Sequence, residues 1–235
     1  MFYYIDYTYL IFVLPALLLV MVAQASVKST FARYSQVPSM RGITGAEAAR
    51  RVLMMNGVGG VDILRTQGSL TDNYDPRSNV INLSDSTFGS NSVAAIGVAA
   101  HEAGHACQYA ESWFPVKLRS ALVPAANLGS GLALPLILLG VITSIPVLYD
   151  IGILAFGLAV LFQLVTLPVE INASRRALAA LEQGGLVAED ERRAVKKVLG
   201  AAAMTYVAAL ALSVMQLLRL IVLFGGRGNR RGGGR

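Results

Sequence analysis

The only two histidines of this 235-residue chain stand four residues apart, with a glutamate directly after the first: His101-Glu102-Ala103-Gly104-His105. On an α-helix, positions i and i+4 lie one above the other, so both imidazoles can reach one cation. Glu102 sits about 60° round the helix from His105, at roughly 100° per residue. Its carboxylate is then beside the open coordination position rather than in the ligand set. Zn²⁺ held by three protein ligands lowers the pKa of a bound water to about 7, and a nearby carboxylate can accept its proton. The pattern predicts metal-assisted hydrolysis of an amide, with His101 and His105 as ligands and Glu102 as general base. The plainer alternative is a pair of hydrogen-bonded histidines on an ordinary buried helix. A glutamate at the required position and the absence of any other histidine weigh against it.

Such a face needs a helix. Residues 91–109 contain no proline, Ser90, Asn91 or Ser92 can cap the start, and Val93, Ile96, Ala99 and Ala100 recur at helical spacing. With no third histidine, the extended His-x-x-Gly-x-x-His arrangement is excluded. The remaining ligand is a carboxylate or the single cysteine. Cys107 follows His105 by two residues, about 200° round the helix, and is expected as a small buried thiol. A carboxylate from another segment is the better candidate.

Only 14% of the residues are charged and 54% are hydrophobic, with a mean hydropathy of +0.56. Soluble domains carry about 25% charged residues, so this composition predicts a membrane protein. The net charge of +6 accompanies long apolar runs and no aromatic-plus-basic RNA motif. Basic loops beside a lipid bilayer account for it, and no nucleic-acid partner is expected. One cysteine allows no internal disulfide.

The first apolar run, residues 3–23, is long enough to cross a hydrocarbon core of about 30 Å. Ala23-Gln24-Ala25 resembles a signal-peptidase site, but the run begins with Asp6 and tyrosines instead of a basic region. Residues 1–25 are therefore read as an uncleaved anchor with its N-terminus outside. Residues 26–120 form a mixed catalytic region. Within it, Thr44-Gly45-Ala46-Glu47 has capping-box spacing and opens a helix to about Asn56, with Gly57 ending it. Val61-Asp62-Ile63-Leu64 and Val80-Ile81-Asn82-Leu83 read as two short strands of a small hairpin, separated by turn chemistry at Gly68-Ser69 and Tyr74-Asp75-Pro76-Arg77-Ser78-Asn79. The strand just before the metal helix is a candidate for pairing with an extended peptide substrate.

Residues 121–169 read as a transmembrane helical hairpin broken at Tyr149-Asp150, with Pro135 and Pro146 as possible kinks in its first arm. Glu170 follows where the second arm emerges. A carboxylate at the edge of hydrocarbon is costly and usually has a partner, and a bound zinc would be one. Residues 170–198 form a second polar segment, whose helix stops at Gly184-Gly185. Glu189, Asp190 and Glu191 open a further helix, followed by Arg192, Arg193, Lys196 and Lys197, a solvated face. Residues 199–224 are a fourth crossing and residues 225–235 a disordered basic tail. Four crossings put 26–120 and 170–198 on one side, where Glu170 can meet the two histidines. These loops hold most of the basic residues, so that side should be cytoplasmic, although the arginines of the tail then fall outside.

Thr44-Gly45-Ala46-Glu47-Ala48-Ala49-Arg50-Arg51, Leu70-Thr71-Asp72-Asn73-Tyr74-Asp75-Pro76-Arg77, the stretch from Ala94 to His105, and Leu167-Pro168-Val169-Glu170-Ile171-Asn172-Ala173-Ser174-Arg175-Arg176-Ala177 together resemble the YugP-like neutral zinc metallopeptidase family of bacterial membranes. The resemblance spans most of the chain. It implies a mostly α, multi-pass membrane protein in which a zincin-like α+β catalytic portion joins about four transmembrane helices. It further implies a bacterial plasma-membrane peptidase with Zn²⁺ on His101 and His105 and Glu102 as base. Through related membrane peptidases it implies Glu170 as the third ligand. Those enzymes often carry Asp or Asn four residues after that glutamate. Here the position is Ser174, so Asn172 and Ser174 are both candidates to orient a ligand.

A donor should stabilise the oxyanion formed during hydrolysis. Tyr206 and Arg175 or Arg176 are candidates, each also readable as an interface or core residue. Two other functions fit the motif less well. A zinc-binding membrane scaffold would normally close its site with four protein ligands, and no fourth is evident. A metal-dependent hydrolase of a non-peptide substrate would use the same water chemistry. The expected substrate is a peptide or membrane protein.

Overall fold

The computed structural model describes residues 7–225. A π-helical turn at Tyr9–Val13 leads into α1 (Leu14–Tyr34), and α2 (Gly45–Met55) follows. Three strands come next, β1 (Asp62–Thr66), β2 (Asn73–Asp75) and β3 (Val80–Ser84), then α3 (Asp85–Phe88) and α4 (Val93–Ala110). Three long helices complete the described chain: α5 (Phe114–Thr143), α6 (Pro146–Gln183) and α7 (Glu189–Phe224). Among the described residues, four helices are long and apolar enough to cross a membrane, namely Tyr9–Tyr34, Phe114–Thr143, Pro146–Gln183 and Glu189–Phe224. The protein is thus mostly helical and multi-pass, as its composition requires. Residues 3–6 of the first apolar run, and the expected basic tail beyond Gly225, lie outside the described residues.

The described residues divide into two compact units. One comprises the chain up to Val22, Leu118–Leu167 and the chain from Tyr206 onward. Its core gathers Ile137, Tyr149 and Leu220, and the Tyr149 ring lies 5.0 Å from that of Phe224. α5 and α6 approach backbone to backbone, since a Cβ on Gly129 would stand 2.5 Å from the Ala155 carbonyl oxygen. The hairpin turns at Ser144-Ile145, not at Tyr149-Asp150, which are inside α6. The reason is local. Ser144 takes φ +55°, the Ile145 N–H bonds back to the Gly140 carbonyl, and Pro146 occupies the first helical position, where its missing N–H costs nothing. Pro146 therefore starts the second arm instead of kinking the first, while Pro124 and Pro135 lie within α5.

The other unit comprises Ala23–Lys117 and Pro168–Thr205. The capping box closes as its spacing predicts. Thr44 Oγ1 accepts from the Glu47 N–H, Glu47 Oε2 accepts from the Thr44 N–H, and Gly57 ends the helix at φ +66°. Ser92 caps α4 by accepting from the Ala95 N–H. The buried core joins Val52 and Leu53 of α2, Ile81 and Leu83 of β3, Val93, Ile96 and Ala99 of α4, Leu181 of α6 and Val195 of α7. α6 runs unbroken through Pro168, so no new helix starts ahead of Glu170.

The sheet departs from the expected pairing. Its order is β1-β3-β2, with β1 parallel to β3 (Asp62 opposite Val80) and β2 antiparallel to β3 (Tyr74 opposite Ile81). The two strands read from the sequence are thus parallel neighbours, and the hairpin is β2–β3. Two turns separate β1 from β3, so the chain reverses twice. At the second turn, Asp75 accepts from the Arg77 N–H and the Ser78 hydroxyl, and Asn79 takes φ +57°. Both edges of β3 are occupied, which removes the strand before the metal helix as a site for adding a peptide strand.

Candidate metal centre

α4 is buried along almost its whole length, so the face carrying His101 and His105 looks into protein. Against it lies α6, and the approach is close. A Cβ on Gly104, the residue just before His105, would stand 2.7 Å from the Ala173 carbonyl oxygen, so glycine permits this close approach of α4 to α6. The consequence is a three-sided pocket. His101 Nε2 and His105 Nε2 each lie 3.3 Å from Glu170 Oε2, and a ligand atom from each of the three residues falls within 4.8 Å of the others.

The spacing discriminates between two chemistries. A charge-assisted N–H···O bond closes to about 2.7–2.9 Å. Ligand atoms at the corners of a tetrahedron around Zn²⁺, each about 2.0–2.1 Å from the ion, are about 3.3–3.4 Å apart. The two separations from Glu170 match the tetrahedral edge, and the two imidazoles lie within 4.8 Å of each other at their ligand atoms. Two imidazoles and a carboxylate are also a donor set that zinc accepts while keeping a fourth position open. The residues present fit the ion.

The outward nitrogens of both rings are held. Ser174 Oγ lies 3.1 Å from His101 Nδ1, and Gln108 Oε1 lies 3.1 Å from His105 Nδ1. The second contact belongs to a chain whose direction is forced at its far end. Arg176 can only donate, and its Nε bonds Asn172 Oδ1 at 2.8 Å. The same oxygen therefore accepts from Gln108 Nε2 at 2.9 Å, and that nitrogen also donates to the Val169 carbonyl at 2.9 Å. Gln108 consequently turns its oxygen to His105, whose Nδ1 must carry the proton. In the neutral ring Nε2 then presents a lone pair toward the Glu170 carboxylate, and a cation between the two, a proton or a metal ion, turns that repulsion into attraction. Arg176 is itself fixed by a two-pronged pair with Glu111, at 2.6 and 2.7 Å.

Glu102 is buried on α4 beside this pocket. Burial pushes its carboxyl upward. The imidazoles of His101 and His105 pull it back only in part, and the charges of Glu170 and Asp72 add to the rise. Cys107 is a buried free thiol, pushed up to about 11 by burial, and lies outside the cluster as its helical angle predicts.

Among the residues singled out from the sequence, His101, His105 and Glu170 converge, Ser174 touches the first ring, and Asn172 reaches the second through Gln108. Arg176 is engaged by Glu111 and Asn172, and Arg175 is exposed on α6. Tyr206 lies on α7 in the other unit. Gln108 was not anticipated. Its position three residues after His105, on the same helical face, was the available signal.

A family model described as "Putative neutral zinc metallopeptidase" matches residues 9–225. The chain is also 46% identical over 202 residues to "Putative membrane protease YugP" of Bacillus subtilis (strain 168), covering 86% of this chain and 90% of that protein. No solved structure matches.

Proposed function

Since the chain belongs to the neutral zinc metallopeptidase family, we propose that it is a membrane-embedded zinc endopeptidase that cuts peptide bonds with a water molecule activated at His101, His105 and Glu170. The observation that carries this reading is the pair of 3.3 Å separations between Glu170 Oε2 and the two Nε2 atoms, with both Nδ1 atoms held from behind. Zinc, when bound, supplies a Lewis acid that polarises a carbonyl and brings the pKa of water near 7. Glu102 takes a proton from the attacking water and delivers it to the leaving amine, acting first as base and then as acid. Its buried, upward-shifted carboxyl suits a group that must both accept and release a proton. Gln108 and Ser174 hold the rings so that Nε2 faces inward. Arg175, exposed on α6 five residues after Glu170, is the candidate for stabilising the oxyanion within this unit. The likeness to a relative named a membrane protease of Bacillus subtilis supports a bacterial plasma-membrane location, the basic residues of 26–120 and 170–198 support a cytoplasmic site, and the substrate is a peptide or membrane protein.

Metal removal tests the reading directly. The purified full chain should hold one zinc, lose cleavage of an unstructured protein substrate after chelation, and regain it with added Zn²⁺. Zinc binding without any peptide cleavage would favour a scaffold or a non-peptide hydrolase. Cleavage that survives complete metal removal would sink the proposal.

Gln108→Leu removes the acceptor behind His105 with little change of volume. It is expected to lower zinc affinity about 10–100-fold, the range for losing a partner that orients a metal-binding histidine. Competition with a chelator of known affinity measures it, and an unchanged affinity would remove Gln108 from the account.

A further inference from the structure

The inner sides of α1 and α7 meet beneath α4, where Phe31, Ala94 and Val198 form a buried cluster joined by Tyr34 and Val98. The outer sides do not close. A groove of about 370 Å³ lies between them, lined on α1 by Ser26, Thr30 and Arg33 and on α7 by Lys197, Gly200, Ala201 and Met204. The spacings are i, i+4, i+7 on one helix and i, i+3, i+4, i+7 on the other, so each set is a single helical face. Facing stripes at that spacing ordinarily bury interlocked apolar side chains. These carry two hydroxyls, a guanidinium and an ammonium over a floor of glycine and alanine. A Cβ on Gly200 would meet nothing within 4 Å, so the floor is open space.

The charges in the groove are unbalanced. No carboxylate lines it, and among the described residues neither Arg33 nor Lys197 has an ion-pair partner, whereas Arg65, Arg176, Arg192 and Arg193 each do. Arg33 is held over the Tyr34 ring, 5.6 Å from its centre, which keeps the guanidinium beside the groove. Two cations facing one cleft repel, and an anion between them converts the repulsion into attraction.

The level of the groove indicates which anion. The apolar run of α1 ends just before Ser26, and that of α7 begins just after Lys197. Both helices change from apolar to charged at the groove, the depth at which lipid phosphates lie. Met204 extends the lining toward the apolar side, which suits a phosphate with an acyl chain attached better than a free anion. We propose that this groove binds the headgroup of an anionic phospholipid, with Arg33 and Lys197 on the phosphodiester, Ser26 and Thr30 donating hydroxyl hydrogen bonds to it, and Met204 against the start of an acyl chain.

The full chain, purified in uncharged detergent, is titrated with phosphatidylglycerol or phosphatidylcholine, and bound lipid is counted by native mass spectrometry. Wild type is expected to hold one phosphatidylglycerol about tenfold more tightly than phosphatidylcholine. Arg33→Gln combined with Lys197→Gln is expected to weaken phosphatidylglycerol about thirtyfold. The same loss of charge outside the groove, Lys28→Gln with Lys196→Gln, should cost less than about threefold. Gly200→Leu keeps both cations but fills the floor, and should cost about tenfold. Equal losses in the two double variants, or wild-type binding by Gly200→Leu, would overturn the proposal. So would displacement of the lipid by equimolar inorganic phosphate, which would assign the groove to a soluble anion.

Discussion

Glu102→Gln is expected to lower peptide hydrolysis by about 10²–10⁴-fold, the contribution of a positioned acid–base group, while zinc content stays at the wild-type level. The two halves of that expectation come from different features. Glu102 is not one of the three residues whose ligand atoms converge, so replacing its carboxylate leaves the donor set whole. The amide keeps the shape of the side chain but cannot take a proton from water. Because Glu102 is only 8% exposed and burial pushes its carboxyl upward, a neutral amide is at least as easily accommodated. The melting temperature should therefore hold or rise. Loss of zinc alongside activity would show that Glu102 belongs to the ligand set, and the assigned base would have to be abandoned.

Glu170→Ala is expected to reduce zinc affinity more than about 100-fold, beyond the range for losing a partner that only orients a ligand. Glu170 is 2% exposed and its Oε2 lies 3.3 Å from both Nε2 atoms, so its carboxylate supplies the oxygen of the cluster. Thermal stability reads the effect without an activity assay. A ligand present at 100 times its dissociation constant stabilises a protein by about 2.7 kcal/mol. That zinc-dependent increment should be present in the wild type and absent in the variant. A full zinc increment in Glu170→Ala would show that the third ligand lies elsewhere.

The parts of this arrangement legible in the sequence are those fixed by local geometry. Two histidines one helical turn apart, a serine able to cap at 92, and Thr44 three residues before Glu47 all carry their meaning within a few residues. Glu170 was within reach because a carboxylate at the end of an apolar run asks for a partner. Gln108 was not, since an amide is no metal ligand and its role depends on how near α6 comes, which Gly104 and Ala173 decide across 69 positions of sequence. The strand pairing escaped for a similar reason. Alternation identifies strands but not their neighbours, and a short β2 between two turns exchanged an expected antiparallel pair for a parallel one.

The unit holding the metal centre is assembled from two stretches of chain, with the apolar hairpin between them in sequence. During translation the imidazoles leave the ribosome first, and the carboxylate follows only after both arms of that hairpin have been made. A nascent or truncated chain ending before residue 170 has Glu102 and the two imidazoles but lacks the carboxylate that completes the cluster. On the proposed function, competence to cut peptides is thereby tied to finished synthesis of the hairpin.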